Sequence, residues 1–171
     1  CVTSCILWQT VITLRYQKIV HYKCKVNNKY KSKQEMSETK KLNEGGKFVH
    51  ATVGNVADFS GKAFMKEVLG LTGAEVSLGT LDPGQAVPFF HAHKGNEEVY
   101  IFLSGEGTFQ VDGDTFPIAS GSVVRVSTGA SRNHKNNSNE PMVYICIQAK
   151  EGSLDCCTAD DAIVTETESK L

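Results

Sequence analysis

The sequence predicts an all-β domain, either a sandwich or a barrel, from two observations. Short stretches rich in apolar and β-branched residues recur from Phe48 onward, separated by turn signals such as Asp112-Gly113. The same part of the chain contains no amphipathic helix of about ten residues or more. Evenly spaced short strands of this kind are typical of sandwiches and barrels.

The predicted strands follow one another in chain order, with short loops between them. Asp112-Gly113 predicts a two-residue hairpin turn, and residues 119–121 and 137–140 are predicted loops. Residues 64–71 fit either a short helix or a strand, and the sequence leaves both open. The predicted strands are 75–81, 88–93, 98–103, 107–111, 114–118, 122–126, 132–136 and 142–148.

The chain length of 171 residues suits one domain with a sizeable core and excludes a second large domain. No stretch reaches the run of about 18 consecutive apolar residues that a transmembrane helix needs, so we expect no membrane partner. We predict an N-terminal extension over residues 1–47, a barrel over 48–150 and a loosely packed acidic tail over 151–171.

The net charge of −1 conceals an uneven distribution of charged residues. Seven Lys or Arg and one acidic residue precede Met36, whereas eleven basic and eighteen acidic residues follow from Met36 onward. The folded part is therefore acidic, which disfavours binding to a phosphate backbone, and no helix-turn-helix pattern is present. The sequence predicts no nucleic-acid partner.

The segment before Met36 differs from the rest in composition, and the chain begins with Cys1. We interpret this segment as disordered or as an upstream extension or fragment, with Met36 as the real start; a targeting presequence is the alternative. The six cysteines form no paired framework, which favours a reducing, cytoplasmic setting. The final residues, Ser169-Lys170-Leu171, match a peroxisomal address, so that a peroxisomal location is the alternative in a eukaryote.

A candidate metal site lies in the stretch His91-Ala-His93 and the acidic pair Glu97-Glu98 that follows it. Side chains repeat every second residue along a strand, so His91 and His93 are expected on one face. A turn at residues 94–96 would bring the chain back, and one of the two glutamates would then face the histidines.

The whole stretch PGQAVPFFHAHKGNEEVYIFLSGEG resembles the first signature motif of the cupin superfamily, in which a Gly, two His, one Glu and a closing Gly recur in that order. The resemblance implies a double-stranded β-helix, or jelly-roll, barrel with a metal bound by His91, His93 and Glu98. Glu98 stands seven positions before Gly105, as the family pattern requires, and alternation places it on the inner face with Tyr100 and Phe102.

The second cupin motif is degenerate in this chain. The position of the family's third His falls on Arg132, whether one counts forward from Gly129 or backward from Asn136. A guanidinium stays protonated and does not coordinate a metal, so Arg132 would instead pair with an anionic ligand. The alternative is that a bulge brings His134 to the metal, and a metal-free barrel also remains open.

The resemblance leaves the chemistry open between two classes. One is a metal-dependent enzyme acting on a small anionic substrate, with dioxygenase-like or sugar-phosphate isomerase-like chemistry; the other is a non-catalytic barrel that binds or senses a small ligand. We expect one divalent transition metal, Fe, Mn, Ni or Zn, and a homodimer. Arg132, Tyr100 and Phe102 are the substrate-binding candidates, and His134 is a weak candidate for a catalytic base.

Overall fold

In a computed structural model of the protein, residues 39–156 and 158–171 are described. The segment before Met36, with its cysteines, lies outside the described residues, so its interpretation stays a prediction. Cys157 lies outside them as well. Of the cysteines that are described, Cys146 is buried and Cys156 is exposed, and both are free thiols.

The described residues form ten strands in three antiparallel sheets. The strands are β1 (Lys40–Gly45), β2 (Phe48–Thr52), β3 (Lys62–Phe64), β4 (Ala74–Leu81), β5 (Asn96–Ser104), β6 (Glu106–Val111), β7 (Asp114–Ala119), β8 (Val123–Val126), β9 (Arg132–Asn136) and β10 (Met142–Lys150). A five-stranded sheet has the order β3-β4-β10-β5-β8, a three-stranded sheet has the order β7-β6-β9, and β1 pairs with β2. The prediction of an all-β, double-stranded β-helix fold is confirmed.

The hydrophobic core lies between the five-stranded and the three-stranded sheets. Side chains alternate between the two faces of each strand, and Phe102 of β5, Phe109 of β6 and Met142 of β10 point inward. All three side chains are fully buried. The rings of Phe102 and Phe109 meet edge to face, with their centroids 6.2 Å apart. Burial of several aromatic side chains between the sheets stabilises the barrel.

Two glycines allow the backbone to approach core groups that a larger side chain would displace. A Cβ atom on Gly79 would lie 2.5 Å from the ring of Tyr144, on the neighbouring strand. A Cβ atom on Gly107 would lie 1.9 Å from the carbonyl oxygen of Lys135. Both contacts are far inside van der Waals range. The clash at Gly107 is with backbone, so that position requires glycine, whereas a side chain at position 79 would displace the ring of Tyr144.

The structure differs from the predicted elements in three places. Residues 88–93 form no strand; they make one isolated bridge, between His91 and Arg132, and His93 accepts a backbone hydrogen bond from Gly129. Residues 64–71 contain the end of β3 and one helical turn, Lys66–Leu69, that ends at Gly70 with φ 67°. The hairpin of β1 and β2 begins within residues 1–47, the segment predicted as an extension.

After β10 the chain has one further helical turn, Thr158–Asp161. Most of the described residues that follow Lys150 are exposed. None of the helices in residues 39–156 and 158–171 has the length and apolar character needed to cross a membrane.

Candidate metal centre

The segment that carries His91 and His93 is irregular, but backbone hydrogen bonds fix it against the opposite strand. The amide of His91 donates to the carbonyl of Arg132 (3.4 Å), and the amide of Arg132 donates to the carbonyl of His91 (3.0 Å). The amide of Gly129 donates to the carbonyl of His93 (2.9 Å). These bonds bring the two imidazole rings together, with centroids 5.3 Å apart.

The two adjacent glutamates of β5 point in opposite directions, as alternation predicts. Glu98 is buried, whereas Glu97 accepts a hydrogen bond from Nε of the exposed Arg125 at 2.5 Å. Only Glu98 therefore faces the histidines.

His91, His93 and Glu98 form a cluster that could hold a metal ion, because their ligand atoms lie within 4.8 Å of one another. Nε2 of His93 is 2.8 Å from Oε1 of Glu98, and Nε2 of His91 is 4.0 Å from Oε2. The side chains of His91 and His93 are 33% and 27% exposed, so a solute can reach this cluster from solvent.

The two oxygens of Glu98 have different surroundings. Oε2 accepts hydrogen bonds from Nε (3.0 Å) and Nη2 (2.6 Å) of Arg132 and from the hydroxyl of Tyr100. Oε1 faces His93 and lies away from the guanidinium contacts. Oε1 is thus the oxygen that remains available to a metal, and Arg132 and Tyr100 fix the orientation of the carboxylate.

Arg132 is completely buried, and its guanidinium contacts acceptors of the protein itself. Besides the two bonds to Glu98, Nη1 donates to the carbonyl of Ala130 at 3.0 Å. The sequence predicts that Arg132 pairs with an anionic ligand; in the structure the anion that it contacts is Glu98. Its role in substrate binding stays a prediction.

The same contacts keep Glu98 ionised. Burial alone would raise the pKa of this carboxyl, but the hydrogen bonds from Tyr100 and Arg132, with the charges of Arg132 and His93, lower it to about 2. Burial would lower the pKa of Arg132, yet the bonds and charge of Glu98 raise it above its ordinary value. A negatively charged carboxylate is therefore present throughout the physiological pH range.

His134 lies in a different environment, inside the aromatic core. Its ring stacks on Phe109 with an interplanar angle of 5° and meets Tyr144 edge to face at 4.6 Å between centroids. Burial lowers the pKa of His134 to about 3, so the imidazole is neutral. Tyr100 and Phe102, predicted as substrate-binding candidates, pack against this ring in the same core.

The structure places Gln148 next to His93 and Glu98 in the candidate metal site, although no motif in the sequence indicates this residue. Its Nε2 lies 2.7 Å from Nε2 of His93 and 3.4 Å from Oε1 of Glu98. The available signal was the alternation along β10, which puts Gln148 on the same face as Tyr144 and Cys146. A polar side chain at an inward position near the end of a buried strand indicates a site.

The residues present fit a divalent transition metal. Two imidazoles and one ionised carboxylate are donors that suit Fe, Mn, Ni or Zn, and three protein ligands leave coordination positions open. The carboxylate is already ionised and held in place, so a cation does not have to displace a proton from it.

Comparisons with known proteins agree with this site and fold. A family model described as a cupin domain matches residues 77–148. A cupin protein of Bacteroides fragilis with a known crystal structure is 33% identical; the match covers 76% of this chain and 99% of that one, with a TM-score of 0.61. An oxalate-binding protein of Thermotoga maritima is 34% identical over 67 residues, which are 39% of this chain and 54% of that protein. The matched region thus spans about half the length of this curated relative.

Proposed function

The chain belongs to the cupin family, and we propose that it binds one divalent transition metal through His91, His93 and Glu98 and captures a small carboxylate anion at that site. The observation that carries this proposal is that the two carboxylate oxygens of Glu98 have different partners. One oxygen is held by Arg132 and Tyr100, and the other faces His93 at 2.8 Å.

A bound metal would supply a positive charge and open coordination positions to carboxylate oxygens. Most of the N–H groups of Arg132 already donate to Glu98 and to two backbone carbonyls. We therefore assign capture of the anion chiefly to the metal. The partly exposed histidines leave the approach to the site open.

The anion that we propose is a small dicarboxylate such as oxalate. This choice rests on the 34% identical relative from Thermotoga maritima, which is an oxalate-binding protein. Because the chain is acidic from Met36 onward, its overall charge does not attract anions. Selectivity for a small dianion must therefore arise at the metal site.

A metal-dependent enzyme, with oxygenase chemistry, is the second candidate. The observation that favours it is the combination of His91, His93 and Glu98, a two-histidine, one-carboxylate arrangement that suits Fe(II) and leaves positions for substrate and dioxygen. An isomerase has weaker support. It needs a general base, and the weak candidate His134 has a pKa lowered to about 3 and is enclosed by aromatic rings.

The test is to measure metal content and oxalate binding on the full chain. We expect one metal per chain by elemental analysis, and calorimetric oxalate binding that disappears after the metal is chelated. His91→Ala should lower metal affinity by more than about tenfold, since it removes a ligand. His50→Ala is the matched control, because His50 is exposed on β2 and should change nothing.

A wild-type protein that binds no metal, or that binds oxalate equally well after chelation, contradicts the proposal. Oxygen uptake that depends on a small carboxylate and vanishes in His91→Ala would favour the oxygenase over the binding protein.

A further inference from the structure

We propose that Gln148 supplies a fourth protein donor to this metal centre, through its amide oxygen. This inference rests on the proposed function, since it concerns the same site. It assigns the place that the degenerate second motif leaves open to a residue of β10, the strand beside Glu98.

Strand pairing places Gln148 next to the metal-facing oxygen of Glu98. The two residues are direct partners in the antiparallel pair of β10 and β5, and partners of this kind project from the same face of the sheet. The amide nitrogen of Gln148 lies 2.7 Å from Nε2 of His93 and 3.4 Å from Oε1 of Glu98. The amide therefore lies on the side of the carboxylate that Arg132 leaves free.

The spacing of these atoms matches that of donors around one ion. Adjacent donors in an octahedral shell with bonds of about 2.1 Å lie about 3.0 Å apart. The amide of Gln148, Nε2 of His93 and Oε1 of Glu98 have mutual distances of 2.7, 2.8 and 3.4 Å. Three donors at these separations can share a single cation.

An amide suits this position because it can serve the site both with and without a cation. With its NH₂ group turned inward, as in the structure, Gln148 donates to Oε1 of Glu98 at 3.4 Å, and its amide nitrogen lies 2.7 Å from Nε2 and 3.1 Å from Nδ1 of His93. A rotation of the amide by half a turn exchanges the nitrogen for the oxygen, which accepts a cation instead. Rotation of this one side chain therefore lets Gln148 act either as a hydrogen-bond donor to Glu98 or as an oxygen ligand of a cation.

Neither residue that the second motif offers can serve as the fourth donor. Arg132 is a cation whose guanidinium bonds to the other oxygen of Glu98. His134 is enclosed by Phe109 and Tyr144 in the core. Gln148, by contrast, has a neutral amide oxygen that can turn toward His93 and Glu98.

The experiment compares metal affinity in the wild-type chain, Gln148→Ala and Gln148→Glu by competition with a chelator, and records the visible spectrum of the cobalt-loaded proteins. We expect Gln148→Ala to lower metal affinity by about 10- to 100-fold and to change the cobalt spectrum. Gln148→Glu should keep or raise the affinity, because a carboxylate also donates an oxygen. Gln110→Ala is the matched control, since that amide donates to the carbonyl of Asp112 on another sheet.

The variant Gln148→Glu separates a metal ligand from a residue that only donates a hydrogen bond to Glu98. An ionised carboxylate can bind a metal but cannot donate a hydrogen bond. If Gln148 only positions Glu98 through a hydrogen bond, Gln148→Glu should therefore weaken metal binding as much as Gln148→Ala does. That result overturns the inference, and so does an unchanged affinity and spectrum in Gln148→Ala. If either result is found while the wild-type chain binds metal, the inference about Gln148 fails but the proposed function stands. A wild-type chain without metal affinity overturns both.

Discussion

Two histidine environments lie close together in this barrel and have opposite character. At the open site, His93 is 27% exposed and contacts Glu98 and Gln148. In the core, His134 is 4% exposed and is enclosed by aromatic rings, and burial lowers its pKa to about 3. The comparison shows that the surrounding side chains, rather than the residue type, decide whether an imidazole can serve as a ligand or base.

The largest effect on stability is expected from removing one partner of the buried ion pair between Arg132 and Glu98. Arg132→Met leaves the carboxylate of Glu98 buried without its cation. We expect the free energy of unfolding to fall by about 3–5 kcal/mol, measured by urea denaturation.

Arg125→Met provides the control for this variant, because it breaks an ion pair made by the adjacent Glu97 on the exposed face. We expect it to leave stability nearly unchanged, since exposed pairs contribute little. Equal losses in the two variants would contradict the importance of burial at Arg132. A double variant with Glu98→Gln should recover part of the loss, because no buried charge then remains unpaired.

The next effect is the pH dependence that His134 gives to stability. Its folded-state pKa of about 3 lies below the ordinary value of 6.5, so between these pH values the unfolded chain binds a proton that the folded protein does not. This contribution to stability is fully present above pH 6.5 and is lost as the pH falls toward 3. We expect urea midpoints to decrease between about pH 7 and about pH 5.

His134→Leu removes this titration and should flatten the dependence over that range. Lys62, His91 and Glu98 also act on His134, and all three are retained in the variant, so the difference between the two proteins reports His134. Parallel curves would show that the core imidazole does not contribute to acid sensitivity.

The smallest effect is expected at the outward glutamate. Glu97→Gln removes a charge next to Glu98 in sequence, but on the opposite face of β5 and paired with Arg125. Metal affinity, measured by chelator competition, should stay within about twofold of wild type, because an exposed charge is screened by solvent. A loss similar to that of His91→Ala would mean that the wrong carboxylate has been assigned to the metal.

The sequence alone predicts most of the barrel, because buried strands alternate in polarity and are bounded by turns. The predicted strand at 132–136 has the bounds of β9, and that at 142–148 falls within β10. The choice of Glu98 over Glu97 for the inner face comes from the resemblance to the cupin motif, which places the Glu seven positions before Gly105, and alternation along the strand agrees with it. The predicted strand at 88–93 is wrong, since Phe89 and Phe90 are both exposed and the segment makes one isolated bridge, between His91 and Arg132. Its apolar composition resembles that of a strand, but it lacks a paired neighbour.

Contacts between distant parts of the chain could not be predicted. The pairing of Arg132 with Glu98 joins β9 of one sheet to β5 of the other, and no spacing in the sequence encodes it. Gln148 is adjacent to Glu98 only because β10 pairs with β5 in one register. The hairpin of β1 and β2 was missed because Lys40, Lys41, Asn43 and Glu44 give β1 no apolar alternation.

The hydrogen bonds of Arg132 and Tyr100 to Oε2 of Glu98 also affect which metal ions the site can select. Calcium takes about six to eight oxygen ligands and often engages both oxygens of a carboxylate. Here Oε2 is already bonded to Arg132 and Tyr100, and imidazole nitrogens line the other side. Millimolar calcium is therefore expected to leave transition-metal binding undisturbed.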